Sequence, residues 1–149
     1  MNVVAHLLDH PRWPLLVYPG VVKNPAAEAF EELFNRNRWP AAWRNGVFPF
    51  HHYHSNSHEV LGVYEGEVTV QFGGSLTLTA NPGDVIVLPA GTAHKKIAAR
   101  GALGIVGAYP DGSKPDTSRG IPQKDCQAPL PACDPVFGAG GPLFTYWRA

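Results

Sequence analysis

The sequence predicts an antiparallel all-β domain, a sandwich or barrel, with one helix near its start. Three observations carry that expectation. Sixteen Gly and fifteen Pro are spread through 149 residues, of which 44% are hydrophobic, so turns are frequent and the apolar stretches between them short. From Gly46 to Ala108 those stretches have strand length. Within them apolar and polar residues alternate: Val68, Val70 and Phe72 fall on one face, Thr69 and Gln71 on the other.

The elements follow in chain order. Leu15-Leu16-Val17-Tyr18, before Pro19-Gly20, reads as a short strand or an extended arm. A helix follows, with Asn24 as N-cap, Pro25 in the first helical position and Glu28, Glu31 and Glu32 in its N-terminal half. Ala26, Phe30, Leu33 and Asn37 recur at helical spacing, Ala29 and Phe34 widen the stripe, and Trp39-Pro40 ends it. That aromatic face needs cover, most simply the outside of a sheet. Gly73-Gly74 makes a hairpin turn with Leu76 to Thr79 returning, and Asn81-Pro82-Gly83 introduces the continuous apolar run Val85 to Leu88. Leu103 to Ala108 adds a further strand.

Between Tyr109 and Phe144 there are seven Pro and five Gly, a composition that would permit disorder. Val136, Phe137, Leu143, Phe144, Tyr146 and Trp147 are nevertheless too apolar to leave in water, so an ordered, irregular strap ending in a short strand is expected. The chain is read as one domain over 1–149: arm and helix over 1–45, strand-rich core over 46–108, strap over 109–149.

Twelve basic residues balance twelve acidic ones, which argues against a broad nucleic-acid footprint. No apolar run approaches the roughly 20 residues that span a bilayer. Asp9, His10, Pro11, Arg12 and Pro14 interrupt any signal-peptide core, so a cytoplasmic protein is expected. Cys126 and Cys133 are too few for a disulfide framework and read as reduced thiols in a loop.

Chemistry concentrates in the histidines. Seven occur, four of them within His51 to His58. On a strand, His52 and His54 project to one face, whereas His51 and Tyr53 point the other way. A bend after His54 lets Glu59 return beside them, and the turn at Pro89 and Gly91 delivers His94 from a neighbouring strand. Imidazole and carboxylate together suit a divalent transition metal. Four such ligands would fill about four of six octahedral positions, leaving room for water, dioxygen or substrate. Strand parity puts His51 and His58 outside that set. Asp84 reads as a turn residue, and Lys95-Lys96 as a solvated strand edge. The inner wall beside the ligands is expected to be apolar, from Phe50, Leu61, Val63 and the Val85 to Leu88 strand.

Two runs carry a resemblance. Gly46-x5-His52-x-His54-x4-Glu59-x6-Gly66 is similar at every fixed position to the first cupin motif, and Gly83-x5-Pro89-x-Gly91-x2-His94 to the second. Ala98 stands where the family usually ends that second motif with Asn. The chain also resembles a bacterial cupin branch bearing His-His-Tyr-His-Ser, His-Glu-Val-Leu-Gly and Gly-Ala-Tyr-Pro-Asp-Gly. The resemblance implies a small jelly-roll barrel binding one divalent ion (Fe, Mn, Ni or Zn) through His52, His54, Glu59 and His94.

Cupins with this ligand set include dioxygenases, oxalate-degrading enzymes, sugar-phosphate isomerases and lyases. A small-molecule substrate at the barrel mouth and oxygenase chemistry are therefore expected, with an isomerase, a lyase or a non-catalytic binder as alternatives. No catalytic residue beyond the ligands is assigned. No nucleic-acid or membrane partner is expected. A two-fold homodimer is expected instead, because Leu15, Leu16 and Val17 of the arm and Leu143, Phe144, Tyr146 and Trp147 of the tail offer apolar surface to a second copy.

Overall fold

A computed structural model describes residues 2–148; Met1 and Ala149, at the ends of the expected domain, lie outside the described residues. In chain order the elements are β1 (Val4–His6), β2 (Leu15–Tyr18), α1 (Ala27–Arg36), β3 (Ala41–Asn45), β4 (His52–Tyr53), β5 (Glu59–Phe72), β6 (Leu76–Ala80), β7 (Val85–Leu88), β8 (His94–Ala108), β9 (Ser118–Arg119) and α2 (Leu143–Tyr146). The strands form one antiparallel sheet in the order β1-β2-β7-β5-β8-β4-β9, with β3 also paired to β8 and β6 to β5. This is the all-β architecture the sequence predicts.

The long strands β5 and β8 run through both halves of the sheet. The first half of β5 pairs with β7, and its second half with β6. Register shifts between β5 and β8 at Val63/Glu65, Glu65/Glu67 and Thr69/Val70 bend the pair, because an extra residue on one strand turns the ladder. The sheet curls as a result. Its inner face gathers Leu61, Val63, Val68, Val70, Phe72, Ile86, Leu88 and Ile105 into one core.

The outer face is buried as well. Val60, Val85, Val87, Val106 and Ala108 pack there under Phe30, Leu33 and Phe34 of α1. Two buried faces explain the unbroken apolar run of β7, where alternation would have marked a one-sided strand. Gly62 makes the close approach possible: a Cβ there would run into the Phe30 ring. The helix begins two residues later than its cap chemistry predicts, with Ala26 extended at the N-cap and no side-chain cap. Packing of Ala27 and Phe30 against the sheet fixes that start, overriding local preference.

The strap is ordered. It does not end in a strand: residues Leu143–Tyr146 make a helical turn. The cause is Asp134, fully buried, whose carboxylate accepts from Tyr18 Oη (2.6 Å), Val136 N (2.8 Å), Phe137 N (3.0 Å) and Leu143 N (2.9 Å). That grip folds the tail back on itself. Trp147 then stacks on Trp13, with ring centroids 5.3 Å apart. Trp147 Nε1 donates to Pro14 O and Trp13 Nε1 to Arg148 O, each at 2.8 Å. Leu15, Leu16, Leu143 and Trp147, which the sequence offers to a second copy, are thus buried within one chain. The tail covers the same cluster that holds Phe30 and Phe34. Cys126 and Cys133 are both free. Among the described residues no helix is long and apolar enough to cross a membrane.

Candidate metal centre

Four buried side chains converge at one end of the curled sheet. His52 opens β4, His94 opens β8, and the two are register partners. Glu59 opens β5 on the same inward parity as Leu61 and Val63. His54 follows β4, where the chain bends before returning into β5. One ligand atom from each of His52, His54 and His94 lies within 4.8 Å of the others, a group that can hold a metal ion. Glu59 Oε1 stands 3.3 Å from His94 Nε2 and 3.5 Å from His54 Nε2.

Tautomers follow from the outer nitrogens. Nδ1 of His52 faces Phe50 O at 3.3 Å, that of His54 faces Asp116 O at 2.6 Å, and that of His94 faces Thr92 O at 2.9 Å. A carbonyl only accepts, so each Nδ1 carries the proton and each Nε2 presents a lone pair. Glu59 Oε1 is buried and receives no hydrogen bond. With the imidazoles neutral, three lone pairs and a carboxylate oxygen face one another without a donor. Backbone carbonyls behind the imidazoles orient ligating histidines in just this manner.

The electrostatics divide the group, one imidazole going with burial and another with its carboxylate neighbour. Burial, reinforced by His94 alongside, pushes His52 down to about 4, which keeps it neutral. Burial acts the same way on His54, but contact with Glu59 outweighs it and raises the group. Burial alone would raise Glu59, yet the two imidazoles hold it ionised below the usual carboxylate range.

His51 and His58 lie outside the group, as strand parity predicts. His58 is buried between Trp13 and Trp147, accepts from Ala90 N at Nδ1 (2.9 Å) and donates from Nε2 to Pro129 O (3.0 Å). Burial pushes it down to about 4, so it is a neutral packing residue. Asp84 closes turns, accepting from Gly20 N at 2.7 Å and Asn81 N at 2.8 Å. Ala98 pairs with Thr69 and is exposed, in the part of β8 beyond Lys96.

A cavity of about 420 Å³ opens beside the four side chains. Its walls correct the expected set. Leu61 lines it, whereas Phe50 and Val63 do not, and of β7 only Leu88 comes close, in a smaller recess beside His54, Glu59 and His94; Phe50 stacks on Phe48 under the Arg119 guanidinium. Trp43, Asn45, Phe48, Lys96, Tyr109 and Thr117 take their place. Lys96 reaches the cavity because, two residues after His94 and opposite Val70, it shares the inward face; on the side away from β5 its backbone N–H donates to Phe48 O at 2.9 Å. Tyr109 continues the parity of Ile105 and Gly107 past the end of β8. Counting in twos from His94 and Ile105 would have found both.

Trp43 lies flat over Gly107, where a Cβ would sit 2.7 Å from its Nε1, and it donates from Nε1 to Tyr109 Oη at 3.0 Å. Burial, followed by the nearby Glu59 carboxylate, raises the Tyr109 phenol, so it remains a proton-bearing donor.

This sheet and this convergence of motif residues are those of a cupin, and the chain belongs to the cupin family. Residues 44–102 match the family described as Cupin domain. Over 148 residues, 93% of this chain and 88% of the other, it is 38% identical to the Bacillus subtilis (strain 168) protein described as "Uncharacterized protein YjlB". Solved structures are more distant. A DUF861 family protein of Thermotoga maritima is 20% identical with a TM-score of 0.40, covering 64% of this chain and 98% of that one. Vicilin from Solanum lycopersicum (tomato) is 21% identical with a TM-score of 0.42, covering 74% and 32%.

Proposed function

We propose that His52, His54, Glu59 and His94 bind one divalent transition metal, and that the protein is a mononuclear metal-dependent enzyme acting on a small molecule in the adjoining cavity. One observation carries the reading: three imidazoles, each with Nδ1 against a backbone carbonyl, gather around a buried carboxylate oxygen that receives no hydrogen bond. Burying acceptors against acceptors is costly, and a cation relieves it. Nitrogen and oxygen donors in this ratio suit Fe(II) or Mn(II), with Ni or Zn as competitors.

When bound, such a metal supplies Lewis acidity or dioxygen activation. The chain's own residues supply the rest. Backbone carbonyls of Phe50, Asp116 and Thr92 fix the imidazoles, Trp43 and Leu61 keep water from one side of the cavity, and Tyr109 holds a proton next to Glu59. Oxygenase chemistry is favoured over sugar-phosphate isomerisation because, apart from Glu59, the cavity is lined by one ionised side chain, Lys96. A phosphate ester calls for clustered cations.

Metal analysis of untagged protein, followed by oxygen uptake with a panel of carboxylates and diketones, tests the reading. Close to one equivalent of Fe or Mn and uptake with one substrate class are expected. Protein expressed in metal-replete medium that carries no transition metal would end it.

A further inference from the structure

A cation among the cavity's lining residues points to the class of ligand. Lys96 extends from the face of β8 that carries His94, across from Val70 and Phe72 of the inner core. It is half-buried, and no carboxylate lies within 4.0 Å of it among the described residues. The cavity's one acid, Glu59, lies against His54 and His94 at 3.5 and 3.3 Å and not against Lys96. An ammonium with no carboxylate partner, in a recess also lined by Trp43, Phe48 and Leu61, attracts an anion, and a single one matches a monoanion better than a phosphate dianion. Arg119, the register partner of His52, is held over Phe50 with its guanidinium 3.8 Å from the ring centroid, and it is not part of the lining. Trp43 and Phe48 supply flat apolar wall, and Asn45, Tyr109 and Thr117 are its polar exceptions. A volume of about 420 Å³ admits one ring with its substituents.

We infer that the site takes a small organic acid with a flat apolar body, its carboxylate paired with Lys96 and an oxygen at its other end facing the histidines. The inference rests on the metal-centre reading only for that far end.

Isothermal titration calorimetry with 4-hydroxybenzoate, its neutral amide 4-hydroxybenzamide and phenyl phosphate tests it on the protein as purified. The acid is expected to bind about tenfold more tightly than the amide, the worth of one charge-assisted contact. Lys96→Met should erase that preference, Lys96→Arg should keep most of it, and Lys95→Met, on the opposite face, should leave it unchanged. Equal binding of acid and amide, a preference surviving in Lys96→Met, tighter binding of phenyl phosphate, or no heat at millimolar acid would each overturn the inference. Metal content measured on the same samples separates the two readings. A Lys96-dependent preference in metal-free protein sinks the metal centre alone, and metal without the preference sinks the organic-acid site alone.

Discussion

His52 and His94 face each other across the β4–β8 pairing, with ring centroids 4.0 Å apart. Their separation is set by backbone register, not by side-chain reach. Strand β4 is two residues long and is held on its far side by β9, where His52 pairs with Arg119 and Tyr53 with Ser118. The proline-rich strap therefore helps to place a residue 67 positions earlier in the chain.

Metal content should follow the inward parity. His52→Ala and His94→Ala are each expected to lose most bound metal, whereas His51→Ala retains it, as read by plasma mass spectrometry on untagged protein. Equal losses in all three would mean that the face of β4 is misassigned.

Asp134 is the largest single polar commitment in the strap. Asp134→Ala leaves the Tyr18 hydroxyl and three backbone N–H groups without an acceptor, and a loss of about 4 kcal/mol is expected from urea unfolding. A loss below about 1 kcal/mol would show that water replaces the carboxylate at little cost.

Acid should weaken the fold through His58. Its native value lies at about 4 and its unfolded value near 6.5, so between them the unfolded chain binds a proton that the native one refuses. Stability from this group is complete above roughly pH 6.5 and declines as pH falls toward 4, by about 3 kcal/mol in all. Urea midpoints for wild type and His58→Gln between pH 7 and 4.5 should converge as pH falls. Parallel curves would place the acid sensitivity elsewhere.

Gly107→Ala should disturb the cavity without touching a ligand. The new methyl meets the Trp43 indole, and the hydrogen bond to Tyr109 breaks as the ring moves. A destabilisation of about 2 kcal/mol and an altered near-ultraviolet circular dichroism spectrum are expected. An unchanged spectrum would mean that the indole is not held there.

Deleting residues 142–149 removes Leu143 and Trp147 from the chain's own core. A lower melting temperature is expected, with no change in the mass obtained by light scattering. The homodimer remains our proposal for the assembly, and it must use surface other than these buried groups. A shift from dimer to monomer on deletion would return the tail to the interface.

The clustering of His52, His54 and His94 was legible because strand parity and turn residues are local: the three could be placed by counting in twos and by Pro89 and Gly91. Val85 to Leu88 was legible as a strand from its unbroken apolar run, though not that both of its faces are buried. The strap's contribution was hidden. Asp116 acts on His54 through its backbone carbonyl, an atom every residue has, and its approach depends on a chain reversal no short pattern encodes. The place of Lys96 in the cavity was hidden because charge suggests solvent, whereas the parity it shares with His94 turns it inward. The terminal turn was missed because Leu143, Phe144 and Tyr146 suit a strand equally well, and only Asp134 tips the balance.

The laced tryptophans have a kinetic consequence. Trp13 and Arg148 meet across 135 residues of intervening chain, and β2 cannot pair with β7 until more than sixty residues have been brought round. Closing loops of that length comes before the contacts that reward it, so folding on the millisecond-to-second scale is expected, not the microseconds of a helical bundle. During that interval the edges of β5 and β8 stand open to other chains, and refolding yield should fall as protein concentration rises.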